Sequence, residues 1–338
     1  NRAEAKSTSA AGRSGDRQRK HPTDDQETIG QDGRLGQPAS PFLGLTSHCV
    51  NALACQANPR SSTTHTCEKH IAFSTTRGIT YVRCMPPTNA YVLARCDRSG
   101  GNIYLISRNN EPDYLPSVLD DGRLLYTRWE YTDKPLWRAQ GLWTVNPDGS
   151  QVNTLWGNQS VWPDLLKDAR NIPGSRRIMF TGSAHHDWFA GSVGIIDPSK
   201  GRNFPHGLTK VTADVPWPES GNGPVDPIES PRYHTAGGYS AYSAPYPLSD
   251  FDFLVSARRH EKFLLYLMDT DGNRELIYEG TDHVLHALPI RARPQPPVIA
   301  DRGAWPDRAN RLHPEDGVIY SSNVYQGAPA ELQHKARY

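Results

Sequence analysis

A chain of 338 residues is long enough to bury one large core or two ordinary ones. Its 37 Lys and Arg against 36 Asp and Glu leave a formal charge of +1, which removes the electrostatic case for binding nucleic acid or an anionic membrane surface. A hydrophobic share of 36% with 28 Gly and 28 Pro points to a turn-rich fold with part of the chain unpacked, and no apolar run approaches the roughly 18 residues of a membrane helix.

Residues 1–40 mix Lys, Arg, Asp, Glu, Ser and Gly with almost no aromatics, so burial does not offset ordering entropy and disorder is expected. Residues 41–68 carry Cys49, Cys55 and Cys67 without a clear period, and the whole segment 1–68 is read as disordered or irregular. The chain starts at Asn1 without an apolar signal segment, which reads as a fragment or a processed form. The two remaining cysteines, Cys84 and Cys96, flank a predicted strand pair. They form a local disulfide if the protein is exported, or stay separate buried thiols.

From residue 70 the pattern becomes repetitive. Residues 121–150 show the unit most clearly. Two Asp-Gly turns, Asp121-Gly122 and Asp148-Gly149, bracket two apolar runs rich in aromatic and β-branched residues. A first class of strand recurs as HIAFSTTR (70–77), GRLLYTRW (122–129), RRIMFTGSAHH (176–186), FDFLVSARR (251–259) and GVIYSSNVY (317–325). A second class runs into an Asp/Asn-Gly turn, as in YVLARCDRSGG (91–101), LWTVNPDG (142–149), VGIIDPSKG (193–201) and LYLMDTDG (265–272). A third short strand follows each. Such units match β-propeller blades, with residues 69–290 as the blade region. Four to five blades are recognisable, an incomplete set for a closed ring. The others lie in the amino-terminal region or are absent from the fragment. Residues 162–170 (WPDLLKDAR) are the best helical candidate, as a single loop helix. Residues 291–338 read as a proline-rich linker followed by the start of a further blade or domain.

The phrase EPDYLPSVLDDGRLLYTRWEYTDK with LWTVNPDGS resembles the WD40-like repeats of TolB-type propellers. More specifically, residues 71–325 resemble the middle domain of the hydrazine synthase alpha subunit. The matching pieces include Asp121-Gly122-Arg123, Tyr126 to Trp129, Ile172-Pro173-Gly174-Ser175, His185-His186, Tyr246-Pro247-Leu248-Ser249 and the RARPQPPVI linker. The resemblance implies a propeller, a periplasmic or secreted location, and neighbouring domains or subunits that carry c-type haem. The sequence has no Cys-x-x-Cys-His, so no cofactor is expected within this chain and hydrazine synthesis does not transfer to it.

If the first strand class is innermost, the residues that follow it converge at the channel mouth. These are Arg77, Arg128, Trp129, His185, His186, Arg258 and Arg259, a set that suits an anionic ligand, a carboxylate or a metal ion. The alternative is that each Arg pairs with a carboxylate of a neighbouring blade. His185 and His186 are the candidates for metal binding, with His234, His283, His286 or Asp282 as further ligands. The tryptophans line a groove or pack between blades.

The leading reading is a non-catalytic scaffold or binding propeller of a larger exported protein, whose partner is another protein or a small anionic ligand. A second is a part of a redox enzyme whose haem sits in another domain. A third is a metal-dependent hydrolase or lyase using His185 or His186. Fold alone does not choose among them.

Overall fold

The computed structural model describes residues 70–83, 87–131, 139–160, 162–186, 191–219, 227–302, 320–323, 325–327 and 329–332. The amino-terminal segment expected to be irregular lies outside the described residues, with Cys49, Cys55 and Cys67. So do Cys84, Trp137, Asp187 and Trp188.

Apart from a 3-10 turn at Ala330–Leu332, the regular structure among the described residues is all β. It falls into successive antiparallel meanders, the form of propeller blades. The first has β1 (His70–Thr75), β2 (Val92–Asp97) and β3 (Tyr104–Leu105). The second has β4 (Asp113–Val118), β5 (Leu124–Trp129), β6 (Gln140–Val145) and β7 (Asn153–Trp156). The third has β8 (Leu165–Asn171), β9 (Ile178–Ser183), β10 (Gly191–Ile196) and β11 (Leu208–Lys210). The fourth has β12 (Tyr239–Pro247), β13 (Asp252–Arg259), β14 (Lys262–Asp269) and β15 (Arg274–Tyr278). One parallel bridge, Gln140 to Leu165, joins the second and third meanders. No strand pairing among the described residues joins the last meander to the first.

The cores lie between consecutive blades. Ala72 and Leu93 pack on Leu124, Tyr126 and Val145. Leu125, Leu142 and Trp156 pack on Leu166, Phe180 and Ile196. Met179, Val193 and Ile195 pack on Phe253, Val255 and Tyr266. The second and third blades therefore bury both faces against their neighbours, which is why their strands are apolar on both sides. The Asp-Gly turns close the hairpins as the sequence suggests. Asp121 Oδ1 accepts from the Arg123 N–H at 3.1 Å, Asp148 Oδ1 accepts from Ser150 N–H at 2.9 Å, and Gly122 and Gly149 adopt φ of 88° and 86°.

The position of the first strand class differs from expectation. β5, β9 and β13 are the second strands of their blades, not the innermost, while β1 is the first described strand of its own. The inner strands are β4, β8 and β12, which precede them and pack one on the next, β4 on β8 and β8 on β12. The sequence disguises these strands. They read DYLPSV, LLKDARN and YSAYSAPYP, with prolines, charges and no alternation. Each carries a β-bulge at the same step, between Tyr114 and Ser117, Lys167 and Arg170, and Ser243 and Tyr246. The bulged residues Leu115, Asp168 and Ala244 have φ of 55°, 53° and 50°. The expected loop helix at residues 162–170 is replaced by β8. The bulge breaks its period of two, so the strand shows neither period cleanly.

The carboxyl-terminal part also departs from the reading. Tyr320 to Asn323 and Tyr325, in the segment expected to begin a new strand, are not in one. Residues 283–302 form no strand, yet they are anchored to the blades.

Candidate functional site

The three bulges bring polar side chains together where the inner strands meet. Lys167 is buried and donates to Asp168 Oδ2 at 2.7 Å and to Ser243 Oγ of the next inner strand at 2.9 Å. Asp168 Oδ1 lies 3.7 Å from Nδ1 of His286. Burial alone would raise Asp168, but Lys167, His286 and Arg170 together hold its carboxyl below the usual value. On the preceding inner strand, Tyr114 donates its hydroxyl proton to Gln140 Oε1. Burial, then the charges of Asp168 and Asp113, push Tyr114 well above its ordinary value, so this hydroxyl stays protonated.

Two steps along β8, Arg170 lies 5.2 Å from the centre of the Tyr246 ring, and Arg293 lies 5.4 Å from the same centre. Burial pulls Arg170 below its ordinary value. Arg293 adds to that pull, against the opposing influence of Asp168 and Tyr246. Lys167, His286 and Arg170 thus face one carboxylate, Asp168, and Arg293 approaches Arg170.

The network continues through Gln140, whose Nε2 is 3.3 Å from Nδ1 of His185. His185 packs edge-on against Trp129, with ring centres 4.9 Å apart, and against His186 at 4.5 Å. Glu219 holds this corner. Its carboxylate accepts from the backbone N–H groups of His185 and His186 at 3.0 and 3.1 Å and meets His186 Nδ1 at 2.8 Å. Trp129, His185 and His186 are therefore one cluster at the ends of β5 and β9.

The arginines of the expected ring are placed differently. Arg128 alternates with Trp129 and turns the other way, onto Asp113 directly opposite on β4, in a two-pronged pair with both bonds at 2.8 Å. Burial opposes the Arg128 charge, and Asp113 outweighs it, holding the guanidinium above its ordinary value. Its face also covers Trp143 at 4.9 Å. Arg258 donates to Ser240 Oγ at 2.9 Å and lies over the Phe263 ring, and Arg259 lies over Tyr239. Arg77 is exposed at the end of β1. Cys96 is a buried thiol, raised first by burial and then by Asp97. Its suggested disulfide partner Cys84 is outside the described residues.

Sequence reasoning missed Lys167, Asp168, Arg170, Ser243, Tyr246 and Arg293 as a group. A usable signal was present: the triplets Tyr-Leu-Pro, Lys-Asp-Ala and Ser-Ala-Pro each precede a first-class strand by about the same interval.

No protein-family model and no curated protein sequence matches the chain. Solved structures that resemble it include Kuenenia stuttgartiensis hydrazine synthase, 18% identical with a TM-score of 0.47, over 63% of this chain and 28% of that one. TolB from Acinetobacter baumannii is 12% identical with a TM-score of 0.36, over 61% of this chain and 39% of that one. The β-propeller domain of the trilobed protease from Pyrococcus furiosus is 10% identical with a TM-score of 0.34, over 62% and 54%. The chain spans less than two thirds of each. No helix among the described residues is long and apolar enough to cross a membrane.

Proposed function

We propose that the chain is a non-catalytic binding propeller of a larger exported protein, and that its axial cluster holds a small anionic group. The observation that carries this reading is the approach of Arg170 and Arg293 to the same Tyr246 ring, two residues along β8 from the buried Lys167–Asp168 pair, beside the step where three inner strands bulge. Arg170 and Arg293 repel each other, and an anion seated between them removes that repulsion. Their planar forks suit a carboxylate or phosphate, and both lie against the one Tyr246 ring. An acidic loop of a protein partner offers the same carboxylate. The motif resemblance supports a periplasmic or secreted location. The Trp129, His185 and His186 cluster, linked to the axis through Gln140, forms the aromatic margin of this site.

Thermal unfolding in succinate, phosphate or chloride at matched ionic strength tests the reading. At a hundredfold excess over Kd a bound anion adds about 2.7 kcal/mol of stability. Arg293→Gln should remove the increment. An increment that survives Arg293→Gln is a general salt effect, and it refutes the site, as does the same stability in all three salts.

A further inference from the structure

Residues 283–302 leave the last blade and touch each of the others on the way to the first two. The Val284 N–H donates to the Phe263 carbonyl on β14 at 2.9 Å. His286 meets Asp168 on β8, and Arg293 meets Tyr246 on β12. The segment then reaches the first two blades. Asp301 accepts two bonds from Arg95 of β2, at 2.8 and 2.7 Å, and the Arg302 N–H donates to Asp148 Oδ2 at 2.7 Å. Between these anchors the Pro297 carbonyl and Ile299 lie directly over Gly122. A Cβ on Gly122 would stand 2.3 Å from that carbonyl oxygen and 3.4 Å from Ile299 Cγ1. His70, Arg95, Val118, Leu124 and Pro147 line the trough beneath residues 297–301.

We propose that this trough between the first two blades is a binding site for an extended peptide with an aliphatic residue followed two positions later by aspartate. The chain covers it with its own Ile299-Ala300-Asp301, as a clasp that a matching peptide in trans displaces. Three features define the recognition. The Arg95 side chain is 3% exposed, and its two-pronged carboxylate partner is supplied by a residue of the outer segment that is itself 30% exposed. A carboxylate at that place meets the buried guanidinium in a two-pronged, charge-assisted pair, beside its bond to the Pro147 carbonyl at 3.2 Å, which a neutral group does not match. Gly122 keeps the floor flat enough for a peptide backbone. The occupant is preceded by Pro294, Pro296 and Pro297, which hold a segment extended before it docks and lower the ordering cost. Residues 291–302 pair with no strand among the described residues, so the clasp rests on side-chain and single backbone anchors and is exchangeable. It also links the last blade to the first, which no strand pairing among the described residues does.

The test uses the full chain and a fluorescent peptide of residues 291–302 as probe. Asp301→Asn loosens the internal clasp, and Ile299→Ser loosens it with the ion pair left in place. Fluorescence anisotropy should show the peptide binding either variant at least tenfold more tightly than the unaltered chain. A peptide carrying asparagine at the aspartate position should bind at least tenfold more weakly than the original. Amide exchange over residues 297–302 should rise in the variants and fall again when peptide is added. Equal binding to variant and unaltered chains overturns the proposal. So does equal binding of the two peptides, or no binding to a folded variant.

Discussion

Replacing Lys167 by methionine separates the charge of the axial pair from its packing. Lys167 and Asp168 are 6% and 5% exposed, and the ammonium bridges Asp168 and Ser243 at 2.7 and 2.9 Å. Methionine fills nearly the same volume, so the change removes two charge-assisted hydrogen bonds and leaves Asp168 buried. Stranding one partner of a buried pair costs about 3–5 kcal/mol. His286 at 3.7 Å and Arg170 still face Asp168, which puts the expected cost near the lower end, ~3 kcal/mol. Adding Asp168→Asn removes the stranded charge, and asparagine tolerates the φ of 53° at this bulge. The double variant should then lie within ~1 kcal/mol of the original, since replacing both partners of a buried pair is often near neutral. Urea unfolding gives the answer directly, provided the m value stays constant. The acid limb gives a second readout. A carboxylate held below its ordinary value stabilises the fold above that value, and the contribution is lost as pH falls through the lowered one. The Lys167→Met chain should therefore begin to lose this contribution at a higher pH. A cost under ~1 kcal/mol, or Asp168→Asn adding its own penalty to that of Lys167→Met, refutes the account.

Arg274→Met should destabilise by about 3 kcal/mol in urea or thermal unfolding, since it strands Asp214. It also removes donors to the Tyr233 and Tyr242 hydroxyls at 3.0 and 2.9 Å and to the His234 carbonyl at 2.9 Å. Stability should also fall on acidification from the ordinary histidine value of 6.5 down to the lowered value of His70. Burial and then Arg95 hold His70 below that value, against the pull of Asp97 and Asp301. The unfolded chain therefore binds the proton first. His70→Gln should flatten that part of the pH–stability curve.

The strand pairs were legible because β5 and β6, and their counterparts, have apolar runs ended by Asp-Gly turns. Local sequence fixes such hairpins. The inner strands were not legible, because packing against neighbouring blades on both faces removes the need for alternation and a bulge breaks what period remains. For the same reason Trp129, His185 and His186, which end apolar strands, could be picked out, while Lys167 and Asp168 looked like one turn of a helix. The expected arginine ring failed at Arg128 because the pleat sends Arg128 and Trp129 to opposite sides, and Asp113 lies across from the arginine.

The recurring bulge separates shape from chemistry. Tyr114, Lys167 and Ser243 occupy the same step of three backbones that bend alike, yet one is an aromatic hydroxyl, one an ammonium and one a small alcohol. A backbone that repeats while its side chains differ works as a set of interchangeable sockets around one axis. Substitutions at these three positions can retune charge and size at the centre of the array, one blade at a time, while the turns and interblade cores stay as they are.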